Sequence, residues 1–234
     1  MPRYHRAVGV LIIIVVVLLI IFGPSIWVQR VIAKHSKPAD RYAGTGAQLA
    51  RHLLDKHGLE SVAVEASELG DHYDPVEKAV RLTQDKFDGH SLTAITVAAH
   101  EVGHALQDQA NFAPLRWRTR LVRATSGIEK FGAGVLIISP FLGILSRVPA
   151  LGLLAFAAGM LTLGTSALIH IITLPTEFDA SFNRALPMLE EHRILKTADK
   201  PHAHKLLTAA ALTYVSASLM SLLNVARWLA ILRR

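Results

Sequence analysis

The sequence predicts an α-helical integral membrane protein with a small α+β region, and three observations lead there. Its 234 residues are 51% hydrophobic, the mean hydropathy is +0.35, and the apolar residues fall in long blocks. Between the first two blocks, residues 42–110 carry mixed helix and strand signals. Within that region a helix-favouring segment sets His100, Glu101 and His104 among Val97, Ala98, Ala99, Val102 and Leu106. A polar triplet in such surroundings needs partners.

The apolar blocks predict about four spans, since about 20 apolar residues cross a bilayer as a helix. The first, a transmembrane anchor at 7–28, is followed by no small-x-small cleavage site, which argues against a signal peptide. The second and third form a hairpin at 131–174, kinked at Pro140, and the last span is 206–232. Ala209, Thr213, Ala217 and Ser221 recur every four residues there, a face suited to helix packing. Arg30, Lys34, Lys37 and Arg41 follow the anchor, and Arg116, Arg118, Arg120, Arg123 and Lys130 precede the hairpin. That distribution predicts a multi-pass protein of a bacterial-type inner membrane with residues 42–110 on the cytoplasmic side, although Arg227, Arg233 and Arg234 oppose it. The net charge of +7 flanks apolar segments and forms no aromatic-laced patch, so no nucleic-acid partner is expected.

Between anchor and hairpin, residues 44–59 read as an amphipathic helix with Leu49, Leu53 and Leu54 on one stripe and Gly58 at its end. Residues 61–66 and 78–83 read as strands of a small antiparallel hairpin or sheet, joined through the turn-rich 70–75. In that turn His72 and Asp74 have two readings: turn chemistry, or support for a metal ligand. Ser91 is placed to cap a helix running to about Gln109.

That helix holds H-E-x-x-H. Positions i and i+4 share a face, so His100 and His104 can direct ring nitrogens at one metal. Glu101 lies about 100° around the helix, within reach of a water beside that metal. The chain has no Cys, so any metal site must use His and carboxylate. A catalytic zinc needs a third protein ligand, and Glu177, which follows the hairpin, emerges on the same membrane face. The plainer reading is an acidic residue just inside a new helix begun by Pro175, part of a segment at 175–200.

Three separated runs carry a resemblance: DHYDP at 71–75, SLTAITVAAHEVGHALQ at 91–107 and LPTEFDAS at 174–181. Together they resemble the YugP-like family of membrane zinc metallopeptidases, over about Tyr42 to Leu189. The resemblance implies a zincin-like catalytic region, with zinc held by His100, His104 and Glu177. It implies that Glu101 activates water and that Asp179 supports a ligand or replaces one. The arrangement is more distantly similar to HtpX-type membrane proteases, whose ligand Glu lies in an E-x-x-x-D pattern. Here the residue four beyond Glu177 is Ser181, and the acid is two beyond. The expected function is a membrane-embedded zinc endopeptidase cutting peptides or membrane proteins near the surface of the lipid bilayer. The other reading is a non-catalytic membrane assembly or quality-control factor with a structural metal site.

Overall fold

The structure, a computed structural model, describes residues 2–213 and residue 215. The chain divides into one unit of residues 1–26, 120–172 and 214–234, and a second of residues 27–119 and 173–213. Three long helices, α1 (Pro2–His35), α5 (Ala113–Leu145) and α6 (Pro149–Phe178), contribute residues to both.

Among the described residues, no helix is long and apolar enough to cross a membrane. This corrects the expectation of about four transmembrane helices, and the multi-pass arrangement is left without support among the described residues. The apolar blocks do lie on helices, with charged residues toward the ends of two of them. Helix α1 ends on Arg30, Lys34 and His35, and α5 carries Arg116, Arg118, Arg120 and Arg123 ahead of its apolar half. Beyond residue 215, the expected last span lies outside the described residues.

The second unit is built around α4 (Leu92–Gln109). This helix packs against α2 (Gly46–Lys56), α3 (Gln84–Phe87), the sheet, and two segments at 179–191. Helix α2 opens with a capping box: Gln48 N donates to Thr45 Oγ1 (3.1 Å) and Thr45 N to Gln48 Oε1 (2.9 Å). Its Leu49, Leu53 and Leu54 are buried as their spacing predicts, against Ile95, Ala98, Ala99 and Val102 of α4 in one core.

The sheet departs from expectation. Strands β1 (Ala63–Ala66) and β3 (Ala79–Leu82) fall where strands were predicted but pair in parallel, Ala63 opposite Ala79. A third strand, β2 (His72–Asp74), lies in the predicted turn and runs antiparallel to β3, giving the order β1-β3-β2. Strand β2 accounts for both differences. It returns the chain on the far side of the position that β3 takes, so β3 enters between its two predecessors, antiparallel to β2 and parallel to β1. Tyr73 anchors β2 by donating its hydroxyl to Asp108 Oδ2 of α4 (2.7 Å).

Asp199, in the segment after residue 191, is tied to the residues after α1. It is fully buried and accepts from Arg41 Nε (2.7 Å) and Tyr42 hydroxyl (2.6 Å). Hydrogen bonding from Arg41 holds its carboxyl below the usual carboxylate range, against the opposing effect of burial. A carboxyl depressed in the folded state stabilises above its ordinary pKa, about 3.9, and that contribution is lost as pH falls. Asp199→Asn is therefore expected to lower Tm near neutrality. The gap from wild type should narrow below about pH 4. Thermal unfolding across the acid range checks this; a gap independent of pH would refute it.

Candidate metal centre

Ser91 caps α4, its hydroxyl accepting from Ala94 N at 3.1 Å, and the alanine-rich turns that follow put His100 and His104 on one buried face. Opposite that face is the end of α6. Sequence reasoning placed Pro175 at the start of a new helix; instead α6 runs through Pro175 to Phe178 and widens into a π-helix over Asp179–Ala185. Proline removes one amide donor and crowds the carbonyl a turn earlier, and wide i→i+5 turns resolve such local misfits. Glu177 thus sits in the last turn of α6, so the acid-at-a-helix-start reading does not apply.

Gly103 sets how closely the two segments approach. A Cβ there would lie 2.7 Å from Ala180 O and 3.3 Å from its carbonyl carbon. These are backbone atoms that cannot swing aside. Gly103→Ala is expected to cost about 1–3 kcal/mol by overpacking and to weaken metal binding as well. Thermal unfolding with and without zinc measures both, and a variant of wild-type stability would show that the helices can separate freely.

Across this contact the three side chains meet. Glu177 Oε2 lies 3.2 Å from His100 Nε2 and 3.3 Å from His104 Nε2. One ligand atom from each falls within 4.8 Å of the others, and all three residues are buried. The outer ring nitrogens are held in place. Ser181 Oγ donates to Leu207 O (3.1 Å), which leaves it to accept from His100 Nδ1–H (3.0 Å). Gln107 Nε2 donates to Thr176 O (2.7 Å) and Asp179 Oδ2 (2.8 Å), so its Oε1 accepts from His104 Nδ1–H (2.9 Å). Each Nδ1 is therefore a donor, and in the neutral rings both Nε2 lone pairs face a carboxylate. Neutral rings so placed repel the carboxylate unless a proton or a metal cation lies among them. The donor set fits a divalent metal.

Charge in the site follows from burial. Burial raises the Glu177 carboxyl, but His104 and His100 outweigh it and hold the group well below the usual carboxylate range. Glu101 is 6% exposed and is pushed up to about 7. Desolvation is the main cause; Glu177 and Asp71 add to it, and His100 and Arg118 oppose it.

The other candidates lie elsewhere. Asp179 is no member of the cluster; it reaches His104 through Gln107 and is bonded by Arg184 Nε (2.8 Å) and Asn183 Nδ2 (2.9 Å). His72 bonds locally through Nδ1 to Gly70 O (3.1 Å). Asp74 Oδ1 accepts from Val76 N and Glu77 N, and its Oδ2 from Arg81 Nη1 at 2.9 Å. These are the bonds of turn chemistry. Sequence reasoning missed Gln107 and Ser181 as supports, and Arg118, whose Nη1 stands 3.2 Å from Glu177 Oε1. Gln107 is three residues beyond His104 and Ser181 four beyond Glu177, spacings that share a face and could have indicated both. Nothing in the sequence singled out Arg118 among its basic neighbours.

Two histidines one turn apart on a helix, closed by a buried glutamate from a second segment, form the ligand set of a zinc hydrolase. The chain belongs to the family described as "Putative neutral zinc metallopeptidase", which it matches over residues 10–233, and zinc is the cofactor of that family. It is 37% identical over 217 residues to "Putative membrane protease YugP" of Bacillus subtilis (strain 168), a match covering 89% of this chain and 92% of the relative. No solved structure matches it.

Proposed function

We propose that this chain is a zinc-dependent endopeptidase acting on peptide segments at a membrane surface. The observation that carries the peptidase reading is the pair of Nε2 lone pairs converging on Glu177, with Glu101 next to the first histidine in the same buried site. Zinc, when bound, supplies a Lewis acid that polarises the scissile carbonyl and acidifies water. The remaining roles belong to side chains. His100 and His104 act as neutral donors, each fixed by the hydrogen bond on its outer nitrogen, so neither ring can rotate without breaking that bond. Glu101 is the general base that takes a proton from the attacking water and returns it to the departing amine. A buried carboxyl beside the metal position is placed for both transfers. Membrane action is supported by the similarity to the relative named "Putative membrane protease YugP".

The direct test is casein hydrolysis by the purified protein in detergent, before and after metal removal. Activity should vanish with a chelator and return with stoichiometric zinc. Hydrolysis that persists after complete metal removal would rule the reading out.

A further inference from the structure

We propose that Arg118 is a positioning residue that keeps Glu177 a one-oxygen ligand. This rests on the zinc-peptidase reading above. A carboxylate has two oxygens and can offer both to a metal, which would fill the position that a catalytic site must keep open for water and substrate. Here the two oxygens face different partners. Oε2 lies between His100 Nε2 and His104 Nε2 at 3.2 and 3.3 Å, while Oε1 lies 3.2 Å from Arg118 Nη1. The contact with Arg118 is one of charge, for Oε1 accepts no aligned hydrogen bond. A guanidinium cannot be neutralised at any ordinary pH, and its attraction for Oε1 is strong because the carboxylate is buried. Rotating Glu177 to bring Oε1 inward would strip it from the arginine.

Position in the fold supports the assignment. Arg118 lies in the early turns of α5, nine residues beyond the end of α4, and its side chain is 21% exposed. The nearby Leu115 is buried and fixes that part of the helix in the second unit. The arginine therefore approaches the glutamate from an element that carries none of the ligands, so it can hold Oε1 away from them.

The test replaces zinc with Co²⁺, whose visible absorption is intense in four-coordinate sites and weak at higher coordination. Arg118→Met should bind one Co²⁺ per chain with clearly weaker absorption than wild type. Its zinc form should show kcat lowered by about 100-fold with KM little changed, as for a misplaced reacting group. Arg118→Lys, which keeps a cation, should recover much of the wild-type spectrum. A wild-type spectrum in Arg118→Met would overturn the proposal, and so would a folded Arg118→Met that takes up no cobalt. If the wild type hydrolyses nothing, the peptidase reading fails, while the cobalt spectra still decide the role of Arg118.

Discussion

Glu101→Gln is expected to keep a full complement of zinc and to lose peptide hydrolysis by about 1,000-fold or more, the upper range for removing a general base. The change is nearly isosteric, and Glu101 is no member of the ligand cluster. Its burial makes the substitution easier still, since a neutral amide in that site avoids the desolvation that raises the native carboxyl. Metal content by mass spectrometry and casein hydrolysis, measured on one preparation, separate ligand from base. A Glu101→Gln protein with wild-type turnover would remove Glu101 from the mechanism. If the variant also kept full biological activity, a structural role for the metal would become the better reading.

Glu177→Ala should have the opposite profile, with zinc and activity lost together. Two imidazoles remain, but the charge-bearing ligand is gone, and affinity should fall by more than about 100-fold, beyond what loss of an outer support costs. The deletion leaves Arg118 near a void, so Glu177→Gln serves as the control of similar shape. It too should bind zinc poorly, since an amide oxygen carries no charge. Circular dichroism establishes that both variants are folded. Full zinc occupancy in folded Glu177→Ala would show that the third ligand is another group.

Much of the site was legible because its signals are local. Ser91 as a cap, the i, i+4 histidines and the leucine stripe of α2 all follow from neighbours within a few residues. The sheet was less so. The residues of β1 and β3 have strand character, but their parallel pairing depends on where the intervening segment returns. Strand β2 is three residues long, begins and ends on polar residues, and lies inside a turn-forming sequence. Glu177 could be nominated from its place after the hairpin and from family resemblance, whereas its helical setting could not. Proline within a helix favours its first turn, and here α6 continues through Pro175. Apolar content was read less fully. It marked long helices at the right places but did not show that none described would be apolar over the length a bilayer requires.

The contact between His100 and Glu177 spans 77 positions of sequence. Bringing together chain ends that far apart costs about 4 kcal/mol in loop-closure entropy before any contact offsets it. A metal held by both segments would then be a clasp on the chain as well as a reagent. The packing of Gly103 on Ala180 already makes that closure in the folded protein, and a fragment ending before residue 173 would keep the two histidines with nothing to fasten them to.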